Sequence, residues 1–262
     1  MNGWADLVSI DAEVGTFRLI DAGGAGPVLV LVHGWGGQAA QWNAVVPGLA
    51  ARFRVLLAEM PGGAGAPLRG PVSMAAMGQG VAAALTAADL SPAILLGHSM
   101  GGPVVIEAGL AAPDRVAGMI GLDTLADGFY YGGSDAVQIA ARRKTFGADL
   151  EGEARRMIDA ITAPDTGQGL RAQIARNILA ARPEDLLEMR DAMFAWRIAD
   201  RLVHVKVPLR LINSVGLDAA HRRAPLECLS EVPQAIYGSG HFPQLEMPEQ
   251  LVPQLLVELD QL

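Results

Sequence analysis

Cysteine is almost missing from this chain. Of its 262 residues only Cys228 carries a thiol, so no internal disulfide can form and no cysteine spacing is available to hold a metal; Cys228 itself reads as a packed helix residue. No apolar run reaches membrane length, which argues against a spanning segment. The opening residues, MNGWADLVSIDAEVG, lack the basic-then-apolar order of a secretory leader. An excess of cations is lacking as well: Lys+Arg number 20 against 28 Asp+Glu, a formal net charge of -8, which speaks against a nucleic acid or an anionic membrane surface as partner. Internal repeats and low-complexity segments are not apparent. The chain is 51% hydrophobic and 18% charged, the balance of an ordinary soluble globular protein with a sizeable core. These absences together give the expectation of a cytoplasmic protein, with its oligomeric state open.

What is present is a rhythm. Short apolar runs bounded by Gly, Pro or Asp recur at 27–34 (PVLVLVHG), 54–62 (RVLLAEMPG), 93–99 (AILLGHS), 116–123 (VAGMIGLD), 207–214 (VPLRLINS) and 234–241 (QAIYGSGH). Near-continuous hydrophobicity of this kind is what a strand covered on both faces requires. Ala-rich segments at helical spacing lie between the runs. This alternation specifies an α/β fold with a mostly parallel, doubly wound sheet. The rhythm stops between about Leu125 and Arg201, where four amphipathic helices are expected around 135–146, 151–162, 169–181 and 183–196, with Pro183 as the first residue of the last. The expected division is a core of residues 1–125 and 201–262 and a helical cap insertion of 126–200.

Ligand sites in open α/β sheets form beyond the carboxyl ends of the strands. At one such end stands Gly97-His98-Ser99-Met100-Gly101, a G-x-S-x-G sequence between a buried strand and a helix. A sharp strand-to-helix turn brings the two backbones too close for side chains at the flanking positions, and it leaves the serine hydroxyl exposed as a nucleophile. The same turn points the Met100 N–H toward the site as an oxyanion donor. A second donor is expected from Trp35, in the HGWGG loop (33–37) that follows the PVLVLV run.

A serine needs a base, and the base an acid to orient it. His33 and His98 belong to the two turns and read as loop-fixing residues; His204 and His221 lie in unremarkable polar segments. His241, after the last strand, is the candidate base. Two aspartates follow strands and compete as the acid. Asp218, in INSVGLDAA, falls between serine and histidine in the chain and is the favoured candidate; Asp123, in MIGLDTL, is the rival, its other role being to cap the turn into the insertion.

The HGWGG loop followed by Trp42, GHSMGG and GHFPQLEMPEQ together resemble the motifs of the α/β-hydrolase fold family, in its small capped esterase and C–C hydrolase branches, with some similarity to pimeloyl-carrier-protein methyl ester esterases. The resemblance covers essentially the whole chain. It implies Ser99, Asp218 and His241 as a catalytic triad, Trp35 and Met100 as oxyanion donors, a small-molecule ester as substrate, and neither metal nor cofactor. The expected activity is hydrolysis of carboxylic esters of small to medium acyl chain through an acyl-enzyme. C–C bond hydrolysis or acyl transfer on the same triad, and a non-catalytic receptor of the same fold, are the alternatives. Serine at position 99 argues against dehalogenases and epoxide hydrolases, which use aspartate there. Two departures from the pattern stand out. The EMPGGAGAP loop lacks the histidine and serine common in it, and Asp218 lies one residue further from Pro208 than usual, which keeps Asp123 in play.

Overall fold

Eight strands form one sheet in the order β1-β2-β4-β3-β5-β6-β7-β8: β1 (Ala5–Ala12), β2 (Gly15–Gly23), β3 (Val28–Val32), β4 (Arg54–Glu59), β5 (Ala93–His98), β6 (Val116–Leu122), β7 (Leu209–Ser214) and β8 (Gln234–Tyr237). The structure is a computed structural model and describes residues 4–64, 66–90 and 92–262. Strands β3 to β8 are parallel throughout, and each of the six apolar runs supplies one of them. The N-terminal hairpin β1–β2, joined antiparallel to β4, was not among the expected strands. Its residues alternate between buried and accessible along β2, and β1 is a largely exposed edge, so neither strand has the continuous apolar character of the parallel ones.

The central strands are apolar at every position because both faces are covered. Val30 and Val32 of β3 point into a core shared with Met77, Val81 and Leu85 of the helix Met74–Ala87 and Val104 and Ile106 of the helix Gly101–Ala111. Leu29 and Leu31 point the other way, toward Trp42, Leu49 and the Leu251, Leu255 and Leu259 stripe of the helix Pro248–Leu259. All four of these β3 side chains are fully buried, and burial of each stabilises by about 1.5–3 kcal/mol relative to exposure.

Between β6 and β7 the described residues contain helices and no strand. The expected four run over Ala136–Ala148, Leu150–Ile161, Gln168–Leu179 and Pro183–Ala195, with short helices at Gly128–Tyr131 and Ile198–Leu202. Asp135 closes the first of the four with a capping box to Gln138, and Pro183 occupies the first turn of the last. The return to the sheet is anchored by buried Glu107, which accepts from Trp196 Nε1 at 2.7 Å and from Nε and Nη2 of Arg201 at 2.7 Å each. Cys228 sits in a short 3-10 turn, Glu227–Leu229, and not in an α-helix; it is partly buried, and burial raises its pKa.

Candidate active site

Ser99 stands where β5 breaks into the helix Gly101–Ala111, and it holds the left-handed backbone conformation, φ +54°, that ordinary residues avoid at a cost of about 1–2 kcal/mol. Three hydrogen bonds fix it there. Its N–H donates to Leu122 O (3.1 Å), and its carbonyl accepts from Gly102 N (2.8 Å) and Thr124 Oγ1 (2.6 Å). The flanking glycines are required by contact. A Cβ at Gly97 would stand 2.2 Å from Gly101 O, and one at Gly101 would stand 2.6 Å from Val32 O.

His241 Nε2 lies 3.0 Å from Ser99 Oγ, and His241 Nδ1 lies 2.6 Å from Asp123 Oδ2. The second carboxylate oxygen of Asp123 accepts the Ser214 N–H at 2.7 Å. Burial acts to raise the Asp123 pKa, but the hydrogen bond and charge of His241 and the Ser214 N–H outweigh it and hold the carboxyl below its ordinary value. Asp123 too is left-handed, φ +45°, with its N–H donating to Ile212 O of the neighbouring β7. The end of β6 is therefore turned so that its carboxylate meets the imidazole.

Asp218, the favoured candidate acid, is not at this site. β7 runs straight into the helix Val215–Arg223, which Ser214 caps by accepting the Leu217 N–H. Asp218 lies in the first turn of that helix, where it accepts from Arg222 Nε (2.7 Å) and from Gln234 Nε2 on β8 (3.3 Å). The expectation is corrected to its rival: the carboxylate that reaches His241 is Asp123.

Two other histidines, His33 and His98, hold backbone around the site. His33 Nε2 accepts the Met60 N–H (3.1 Å), which leaves Nδ1–H to donate to Gly34 O (2.9 Å) and tie down the HGWGG loop. His98, fully buried, donates from Nε2 to the carbonyl of His241 (2.6 Å) and accepts at Nδ1 from Gln244 (3.3 Å). This requires a neutral ring, and burial together with the neighbouring His241 pushes the His98 pKa down to about 3. An unfolded chain would bind a proton there below about pH 6.5 that the native ring refuses, so the stabilisation is complete above that pH and declines toward about 3, by up to about 1.4 kcal/mol per pH unit. Urea unfolding at about pH 7 and about pH 5 should show the parent losing about 2 kcal/mol more than His98→Asn. Equal losses would contradict a neutral buried His98.

Sequence reasoning did not find the residues that hold the histidine loop. The His241 N–H donates to Ile161 O (2.8 Å), at the end of a helix in the 126–200 segment. Glu246 accepts the Phe242 N–H (2.8 Å) on one oxygen and, on the other, the Ala163 N–H (2.7 Å) and the Thr166 hydroxyl. Tyr237 donates its hydroxyl to Gly240 O (2.6 Å); burial and the nearby Asp123 raise its pKa, so it stays a neutral donor.

Ser99, Asp123 and His241 open on a cavity of about 490 Å³ between the sheet and the helical segment, which Trp35 also lines. Trp35 Nε1 donates to Leu186 O (2.8 Å), fixing the loop against that segment. Among the described residues the backbone N–H groups of Trp35 and Met100 have no hydrogen-bond acceptor. Tyr130, Tyr131 and Met193 reach the cavity, while Phe194 and Trp196 are buried in the packing around it. Phe129 is largely exposed. No described helix is long and apolar enough to cross a membrane.

Comparison with known proteins agrees with this architecture. The chain is 42% identical over 99 residues to the pimeloyl-[acyl-carrier protein] methyl ester esterase of Aeromonas hydrophila, 37% of each chain, and 32% identical over 169 residues to that of Methylococcus capsulatus, 63% of this chain and 64% of the other. The matches thus span less than two thirds of these curated relatives. Among solved structures, a hydrolase from Pseudomonas aeruginosa superposes with a TM-score of 0.82 at 20% identity, over 98% of both chains. The enol-lactonase of Burkholderia xenovorans superposes with 0.78 at 19%, over 95% of this chain and 99% of the other. Residues 27–204 match the family model described as the alpha/beta hydrolase fold, and the chain belongs to the α/β-hydrolase fold family.

Proposed function

We propose that the chain hydrolyses carboxylic esters, with Ser99 as nucleophile, His241 as base and Asp123 as the acid that orients it. The observation that carries this reading is the chain of contacts at 2.6 and 3.0 Å from Asp123 through His241 to Ser99 Oγ, at the wall of a cavity large enough for a small ester. The likeness to pimeloyl-[acyl-carrier protein] methyl ester esterases supports the same bond type. On this reading residues 126–200 form a cap over a core of 1–125 and 201–262.

Asp123 accepts the Nδ1–H of His241 and so leaves the Nε2 lone pair facing Ser99. Nε2 takes the hydroxyl proton as Oγ attacks the ester carbon, and the Trp35 and Met100 N–H groups receive the tetrahedral oxyanion. The alcohol leaves with the proton from Nε2. Water then repeats the sequence on the acyl-enzyme, and the acid is released.

A series of p-nitrophenyl esters tests this. A fluorophosphonate probe should label Ser99, and kcat/KM should rise about fourfold for each methylene that finds room, peak at short to medium acids, and fall for long chains that must displace the cap. Undiminished activity on long-chain esters would contradict the closed pocket. Labelling of Ser99 without turnover of any ester would point to C–C hydrolysis, and failure of both to a receptor.

A further inference from the structure

The helix Pro183–Ala195 turns a stripe of apolar side chains inward, and Leu186 and Phe194 on it are completely buried. Arg190 lies midway between them at i+4 spacing, on the inward stripe where a core helix calls for an apolar residue. Its guanidinium carbon sits 4.1 Å from the centroid of the Phe146 ring and 4.7 Å from that of Phe194. Arg190 lines the same cavity as Ser99 and His241.

The guanidinium is unsatisfied. Nε and Nη1 are buried without a hydrogen-bond partner, which leaves Nη2 as the accessible nitrogen. Among the described residues no carboxylate forms an ion pair with it: the adjacent Asp191 is taken by Arg143 at 2.6 Å. Arg142, whose guanidinium also lies over Phe194, is tied to Ser134 Oγ at 2.7 Å. Burial lowers the Arg190 pKa, but an arginine remains charged near neutrality. A partly buried, unpaired charge is costly unless an anion completes it, and the opening for one is the cavity.

We infer that Arg190 anchors an ionised carboxylate of the substrate, so that the esters hydrolysed at Ser99 carry a free carboxylate remote from the scissile bond. This rests on the ester-hydrolase reading. One positive charge offered through one accessible nitrogen matches a monoanion. A phosphate dianion would bring a second negative charge to a cavity whose described lining holds no Lys or Arg besides Arg190 and already includes the carboxylates of Asp123 and Asp127.

Two measurements separate this inference from the reading beneath it. The first is calorimetric titration of Ser99→Ala protein with monomethyl glutarate and monomethyl adipate, with and without Arg190→Met; binding should weaken about 10- to 100-fold when the guanidinium is removed. The second is the ratio of kcat/KM for half-esters of dicarboxylic acids, and for esters of hydroxy acids, over neutral esters of equal length. In the parent one of the two anionic series should exceed its neutral counterpart by about tenfold or more, and the ratio should fall toward one in Arg190→Met, with Arg190→Lys between. Because it is taken within each protein, the ratio is insensitive to a partial loss of folded enzyme. Hydrolysis of esters with no anionic preference and no Arg190-dependent binding would overturn the carboxylate site and leave the esterase standing. Arg190-dependent binding of the half-esters without turnover of any ester would do the reverse. Inorganic phosphate that binds as tightly as the half-esters would overturn the assignment to a monoanion.

Discussion

Ser99→Ala should lower kcat by about 10⁴ to 10⁶, the scale on which loss of a triad nucleophile acts, and should abolish fluorophosphonate labelling. The variant is a clean probe. The hydrogen bonds that fix residue 99 in its left-handed conformation are made by its backbone N–H and carbonyl, and alanine retains both. Only the hydroxyl facing His241 is lost. Intact-mass detection of an adduct on Ser99→Ala, or kcat within tenfold of the parent, would remove Ser99 from the chemistry.

The second large effect separates two carboxylates. Asp123→Asn should lower kcat about 10⁴-fold, because an amide cannot both hold the Nδ1–H tautomer and stabilise the imidazolium that forms when Ser99 gives up its proton. Asp218→Asn should leave kcat within about twofold and cost under about 1 kcal/mol, since Arg222, its partner, is well exposed. Steady-state kinetics on the two variants side by side decide between them. A crippled Asp218→Asn beside an active Asp123→Asn would reverse the assignment. The pKa of Asp123 adds a pH expectation. A carboxyl held below its ordinary value contributes stability that is present above about pH 3.9 and lost as pH falls through the depressed native value. Asp123→Asn should therefore lose less stability than the parent on acidification in that range.

Why these two aspartates could not be told apart from sequence has a local cause. β6 and β7 are adjacent and parallel, and each has an aspartate just beyond its carboxyl end. Which carboxylate meets the histidine depends on how the chain leaves each strand. Asp123 is turned by a left-handed residue that no composition rule marks, whereas Asp218 is carried off by a helix that begins as soon as β7 ends. Ser99 and His241 were legible because the chemistry of their turns is written locally: glycines at both flanks of the serine, and a histidine straight after the last apolar run. The parallel sheet was legible for a related reason, since strands covered on both faces advertise themselves as unbroken apolar runs. The β1–β2 hairpin, half exposed, does not. Arg190 was silent because its significance lies in the partner it lacks, and that appears only when the neighbouring helices are in place.

The hydrogen bonds that join His241 to Ile161, and Glu246 to Ala163 and Thr166, tie the helical segment 126–200 mechanically to the histidine proposed as base. A ligand that entered or left by lifting the 161–166 segment would remove a backbone acceptor from His241 and two donors from Glu246 in the same motion. A form opened in this way would also hold its base poorly, and water reaching an unoccupied pocket would meet a serine that has not been activated. Access and reactivity would then exclude one another. A disulfide or cross-link that holds this segment down should raise the reactivity of Ser99 toward a small probe even as it slows the exchange of larger ligands.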